Sequence, residues 1–410
     1  MPLRTRLLTF ALDHGPYPKI TDLDVPGIQD ARTRIPPLRR PFTWITGDMP
    51  PGVHTRDTWF QVRDGSKRPA RAYLPSTPGP HPVIVFFHGG GWVLGSTRQY
   101  DPLCGLLASR VDALVLSIDY RMGPEHHAPQ AVLDCVDATR WAATAAPEFG
   151  GDPTRMAVCG DSAGGNLAAL VCHAAYDSGG PMIAHQALIY PATDLSKSFP
   201  SVHENGDAPM LTEAKMDAFI AHYLGPDPMD LRDPAISPYW RADLTGLPPA
   251  LVQTADIDPI RDEGLAYAAR LADAGVPVRV TNYLGTVHGF ASIPGATLIG
   301  KQAQHELVVE LRRHLHPVVV PPLDYGVLAQ FSRCSMGVIV ADVVVFTGNA
   351  HPALAERICD HLGVKLSGVN ISRFSNDCLQ ASCWPIVGNA TSTSSSRSSR
   401  RRRSTSWSSC

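Results

Sequence analysis

The sequence predicts an α/β domain built on a mostly parallel sheet, and three observations carry that reading. Between about residue 58 and residue 316, short apolar, β-branched runs alternate with longer segments of helical period, the rhythm of strand–helix–strand crossovers. Apolar residues make up 44% of the 410-residue chain and charged residues 18%, which suits a large buried core and not a disordered chain. The small-residue segment "VCGDSAGGNLA", residues 158–168, lies where one such strand runs into one such helix.

Taken in order, residues 1–45 read as helical and then proline-rich, outside the alternation. Inner strands are predicted at 83–87, 114–118, 156–160, 186–190, 250–254 and 278–283, with helices at 100–109, 129–145, 163–176, 263–274 and 299–316 between and after them. Right-handed crossovers then place reactive residues at the carboxyl ends of the strands. Residues 196–230 break the rhythm with a polar loop and a helical run at 212–224, so this insertion and the N-terminal segment are the two pieces free to cover the mouth of the sheet. The main domain is assigned to 46–316.

Beyond His316 the composition changes. "PVVVPPLDYG" carries prolines at 317, 321 and 322 that exclude helix, so 317–337 is read as a linker. Residues 338–377 resume as strand, helix, strand. Residues 378–410 are assigned as a Ser/Arg-rich tail, which from about 391 reads "TSTSSSRSSRRRRSTSWSSC" and is too polar to bury a core. The run from Arg400 to Arg403 is a solvated charge run on this reading.

Several function classes are disfavoured at once. A net charge of −2 supplies no electrostatic reason for a nucleic-acid or anionic-membrane partner. The apolar run at 7–12 is too short for a secretory signal, and no stretch approaches the roughly 18 to 20 apolar residues of a membrane span, so a cytoplasmic protein is expected. Nine cysteines, odd in number and without CxxC spacing, argue against a disulfide framework or a zinc site; Cys104, Cys135, Cys159 and Cys172 read as buried structural thiols.

The chemistry centres on Ser162. A serine hydroxyl is a poor nucleophile until a base takes its proton and a third group orients that base. In "GDSAG" the small residues at 160 and 164 allow a strand to turn abruptly into a helix and lift Ser162 above the sheet, and the partners should then follow in the order Ser, Asp, His. "TADIDPIRDEG" follows the strand at 250–254 and offers Asp256 and Asp258; "NYLGTVHGF" follows the strand at 278–283 and offers His288. "HGGGW", His88 to Trp92, follows the strand at 83–87 and presents bare backbone amides suited to an oxyanion.

Together "HGGGW", "DYRMGPEHHAP", "GDSAGGN", "DPIRDEG" and "HGF" resemble the hormone-sensitive-lipase-like, HGGG-motif branch of the α/β-hydrolase carboxylesterases over about residues 45–316. The resemblance implies the α/β-hydrolase fold, a helical cap formed by residues 1–45 and about 196–230, and hydrolysis of small carboxylic esters of short or medium acyl chain. It implies Ser162 as nucleophile, His288 as general base and Asp258, first residue of the DPxxD pattern, as its orienting acid. It also implies Gly89, Gly90 and Gly91 as oxyanion-hole glycines, with the amides of Gly90, Gly91 and Ala163 the direct donors. Trp92 and Asp161 are assigned to substrate binding; Asp161 as a stabiliser of the elbow and Trp92 as packing under the loop are the alternatives. No metal or organic cofactor is needed, and a small-molecule ester is the expected partner, with a homodimer left open.

Blander roles belong to the neighbours. Ser162 as a mere helix cap would explain neither the glycine run nor the downstream acid and base. His88 is expected to stabilise its loop, Asp262 to favour a helix start, and His126 and His127 to sit in a solvated loop. A receptor that binds without turnover is the alternative function, disfavoured by the presence of His288.

Residues 344–377 resemble the first strand, helix and next strand of ribose-phosphate pyrophosphokinases, with Met336 able to serve as a start. Phe374 and Asn376 match positions that help hold ATP in that family, while Cys378 stands where a glutamate is expected. The rest of that family's chain is missing, so 338–410 is read as an appended remnant with an out-of-frame tail, and nucleotide chemistry through it is a third, weaker class.

Overall fold

The computed structural model describes residues 1–316, apart from positions 14, 16–18, 36, 38, 41 and 298, together with two short segments further on. The chain divides into two units, Met1–Val319 and Val320–Cys410.

The first unit carries strands β1 (His54–Gln61), β2 (Lys67–Leu74), β3 (His81–Phe87), β4 (Leu114–Ile118), β5 (Gly151–Asp161), β6 (His185–Ile189), β7 (Ala250–Ile257) and β8 (Val278–Val287). Its helices are α1 (Leu3–Asp13), α2 (Val25–Thr33), α3 (Thr43–Thr46), α4 (Asp101–Leu107), α5 (Gln130–Ala145), α6 (Ala163–Ser178), α7 (Ser201–Glu204), α8 (Glu213–Leu224), α9 (Arg261–Asp273) and α10 (Gly300–Leu315). The eight strands form one sheet in the order β1-β2-β4-β3-β5-β6-β7-β8, in which only β2 runs antiparallel to its neighbours.

All six strands expected from the apolar runs are present. The pair β1 and β2 was not among them, because a hairpin at the sheet edge keeps one strand wet: β1 reads "HTRDTWFQ", mostly exposed, and its charges mask the period.

Side chains alternate across the sheet, and both faces are covered. Val83, Val85 and Phe87 of β3 point to the face packed by Cys135 of α5, Leu167 of α6 and Leu271 of α9. Ile84 and Phe86 point to the other face, against Leu103 and Leu107 of α4 and Leu307 and Leu311 of α10. Cys104, Cys135, Cys159 and Cys172 are free and buried in these layers, and burial raises the pKa of each thiol. Among the described residues no helix is long and apolar enough to cross a membrane.

The N-terminal segment and the insertion meet beside the sheet mouth. Ile20 and Ile28 pack with Val93, Leu94 and Phe219, the last from α8. Arg32 of α2 clamps the contact: its Nε donates to the Val93 carbonyl at 2.7 Å while its guanidinium pairs with Glu125 at 2.8 Å. Thr212 caps α8, accepting from the Lys215 amide at 3.1 Å, which is why the helical run begins there.

In the second unit only Val369–Arg373 and Leu379–Cys383 are described, as the antiparallel pair β9 and β10. The expected linker at 317–337, most of the 338–377 fragment and the tail from 391 lie outside the described residues. β10 falls inside the segment assigned to the tail; its "LQASC" is less polar than the Ser/Arg run after it and pairs with the strand before it.

Candidate active site

The strand β5 ends at Asp161 and α6 begins at Ala163, leaving Ser162 alone in the turn at φ 55° and ψ −120°. A non-glycine residue held there costs on the order of 1–3 kcal/mol, and the surroundings must over-determine it. They do so by close packing: a Cβ on Gly160 would overlap the Gly164 carbonyl, and one on Gly164 would overlap that of Phe87. The Ser162 amide donates to Ile189 O at 2.9 Å and its carbonyl accepts from the Asn166 amide at 3.1 Å, pinning both sides of the turn.

Asp258 is the first residue past β7 and His288 the first past β8, so both emerge at the same edge of the sheet as Ser162. His288 Nε2 lies 2.9 Å from Ser162 Oγ, and His288 Nδ1 lies 2.7 Å from Asp258 Oδ2. The other Asp258 oxygen accepts from the Ile260 amide at 3.1 Å, which fixes the carboxylate plane. Asp256 is turned elsewhere, its Oδ2 accepting from the Gly285 amide at 3.2 Å. Asp262 lies in the first turn of α9 and accepts from the Ser201 amide.

The glycine loop divides in its use. The Gly89 N–H is engaged within the protein, donating to Asp161 Oδ1 at 2.8 Å and lying 3.0 Å from the Tyr100 hydroxyl, so it is not among the amides left for an oxyanion. The amides of Gly90 and Gly91 have no acceptor among the described residues, and the Ala163 amide opens α6, where an N–H has no intrahelical partner. These residues line one cavity with Ser162 and His288. His88 is wholly buried, its Nδ1 2.8 Å from Gly89 O and its ring stacked on Tyr120 at 4.5 Å; burial lowers its pKa, and it holds the loop.

The two residues assigned to substrate contact fare differently. Trp92 lines the cavity but is also packed, stacked on Tyr223 at 4.6 Å with its Nε1 donating to Asn166 Oδ1 at 3.3 Å. Asp161 borders the cavity, and both its oxygens accept from protein donors, Gly89 N–H on one and the Tyr100 and Tyr190 hydroxyls on the other, so it bridges the elbow to the glycine loop. Burial raises its pKa to about 6.

The cavity has a volume of about 280 Å³ and is walled mainly by apolar side chains, among them Leu195, Met216, Phe219 and Ile220. Phe219 comes from the insertion. Sequence reasoning missed Tyr100 and Tyr190 as well; Tyr190 sits directly after β6, and its place at the carboxyl end of a parallel strand was the available signal.

Residues 84–292 match the family model described as the alpha/beta hydrolase fold. The chain belongs to this α/β-hydrolase family. The carboxylesterase NlhH of Mycobacterium tuberculosis is 38% identical to this hydrolase over 315 residues, 76% of this chain and 96% of the relative. The carboxylic ester hydrolase LipN of the same organism is 45% identical over 259 residues, 61% of this chain and 68% of the relative. A thermostable esterase from Pseudomonas putida ECU1011 has a solved structure similar to the hydrolase with a TM-score of 0.69 at 32% identity, covering 77% of this chain and 97% of that one. The HGGG-motif, hormone-sensitive-lipase-like resemblance agrees with these relatives. Residues 343–388 match the model for the N-terminal domain of ribose phosphate pyrophosphokinase, eleven residues past the end expected for that fragment.

Proposed function

We propose that this hydrolase is a serine carboxylesterase acting through an acyl-enzyme, with Ser162, His288 and Asp258 as its triad. The chain is a carboxylic ester hydrolase, and the observation that supports this mechanism is the unbroken relay from Asp258 through His288 to Ser162. With Asp258 accepting at Nδ1, the imidazole carries its proton there and leaves Nε2 free to accept from the Ser162 hydroxyl.

Ser162 Oγ adds to the ester carbonyl as its proton passes to His288 Nε2. The negative charge that develops on the carbonyl oxygen faces the amides of Gly90, Gly91 and Ala163. Collapse expels the alcohol, protonated by His288; water then attacks the acyl-enzyme with His288 again as base, releasing the acid and restoring Ser162. Residues 1–45 and 196–230 act as a cap, and Phe219 from the insertion bounds a cavity sized for short or medium acyl chains.

The test is Ser162→Ala on a short p-nitrophenyl ester together with organophosphate labelling of the unaltered protein. Turnover should fall by several orders of magnitude, in line with the roughly million-fold effect of triad nucleophiles, and the label should map to Ser162. Near-normal turnover by the variant, or no adduct on Ser162, would overturn the assignment, the second outcome favouring a non-catalytic receptor.

A further inference from the structure

Asp161 has no chemical part in the relay above, yet it touches three pieces of the machinery at once. It immediately precedes Ser162. Its Oδ1 takes the Gly89 amide at 2.8 Å, one residue before the first oxyanion donor. Its Oδ2 takes the Tyr100 hydroxyl at 3.1 Å and the Tyr190 hydroxyl at 3.3 Å. The Tyr190 ring in turn lies 4.7 Å from the His288 ring, at a backbone φ of 35° that only tight surroundings maintain. Nothing else among the described residues ties the nucleophile turn, the glycine loop and the face of the histidine to one side chain.

Resting on the esterase reading, we infer that Asp161 is the positioning residue that sets the height of the oxyanion loop above Ser162, through Gly89 on one side and the tyrosine pair on the other.

The bridge works best as a carboxylate, because its two oxygens then accept from three donors; protonation makes one oxygen a donor facing two hydroxyls. A buried carboxylate whose pKa lies near 6 makes this a titration within working pH. The titratable groups facing it are the Tyr100 hydroxyl from the turn after the glycine loop, Tyr190 from the end of β6, His288 from the end of β8, Cys159 on its own strand, Cys104 of α4 and Tyr120 just beyond β4. His288 favours the carboxylate; burial opposes it.

The experiment measures kcat and KM on p-nitrophenyl butyrate and Ki for a trifluoromethyl ketone, whose adduct with Ser162 carries the same oxyanion. It compares Asp161→Ala, Asp161→Asn and Tyr100→Phe, with thermal melts of each. Asp161→Ala should lower kcat about 10- to 100-fold, less than the 10²–10³ for a deleted oxyanion donor, with KM within about threefold. Ki should weaken by the same factor as kcat, since both depend on the loop. Tyr100→Phe removes one strut and should show a smaller, equally matched loss. In the unaltered enzyme kcat/KM should carry a component that falls below about pH 6 as Asp161 gains its proton, and Asp161→Asn should remove that component.

A folded Asp161→Ala with kcat within about threefold of the parent, or a fall in kcat with Ki unchanged, overturns the inference. If that variant does not fold, the match of Ki to kcat in Asp161→Asn and Tyr100→Phe decides it. Organophosphate labelling of the parent keeps the two questions apart: its failure sinks the esterase reading, whereas success with unmatched kcat and Ki sinks only the role of Asp161.

Discussion

Gly90→Ala is the sharpest test of the glycine loop. Gly90 sits at φ 116°, outside what an L side chain adopts, and a Cβ placed there would overlap the Leu94 carbonyl, itself fixed by the turn in which Val93 and Leu94 amides bond back to Gly90 O. Backbone cannot yield as a side-chain tip can, so the turn must open and carry the Gly90 and Gly91 amides away from Ser162. The strain costs about 1–3 kcal/mol of stability, and loss of one aligned donor costs about 3–4 kcal/mol in the barrier, or 10²–10³ in kcat. Gly91→Ala is the matched control: φ there is 61°, which costs about 1–2 kcal/mol, and the added methyl would overlap Cγ and Cδ1 of Phe219, so that side chain and not the loop backbone must swing aside. Steady-state kinetics on p-nitrophenyl butyrate beside a urea titration should therefore show Gly90→Ala losing mainly kcat and Gly91→Ala losing less kcat and more KM. Gly90→Ala that remains folded with kcat within threefold of the parent would refute the argument that these amides stabilise the oxyanion.

Two further outcomes follow from particular contacts. Asp258→Asn leaves the His288 tautomer wrong and should cost about 10⁴ in kcat, whereas Asp256→Asn, whose carboxylate accepts from the Gly285 amide, should stay within a few-fold; equal losses would mean that the acid is misassigned. His185 is buried, stacked on His314 at 4.2 Å, and burial followed by the charges of His314 and Arg313 lowers its pKa to about 3. The fold therefore holds His185 neutral, and its contribution to stability is whole above the unfolded value near 6.5 and declines as pH falls from there toward 3, by about 2 kcal/mol at pH 5. His185→Phe should flatten the pH dependence of the urea midpoint between pH 6 and 4, and an unchanged slope would contradict it.

Much of the proposed site was legible because the chemistry proposed for it needs residues at fixed places along the chain. The "GDSAG" turn requires two small residues at fixed offsets, and parallel crossovers return every strand end to one edge, so Asp258 and His288 were recognisable from the strands before them. The roles of Gly89 and Asp161 were not. A Gly89 N–H pointing down to a carboxylate 72 residues away has no local signature, since hydrogen-bond partners are chosen by sheet order and not by sequence distance. Tyr100, Tyr190 and Phe219 were hidden for the same reason: an aromatic residue reads as core until the fold shows what else its polar end or ring face meets.

The sequence by itself determined which residues are proposed to react and which strand ends hold them, because backbone sterics at glycine and the period of apolar residues act over a few positions. Only the tertiary structure decided which amides remain available to an oxyanion, which of two nearby aspartates faces His288, and how the insertion closes the cavity. Those are outcomes of packing between segments far apart in the chain, where distances of a few tenths of an ångström separate a hydrogen bond from none.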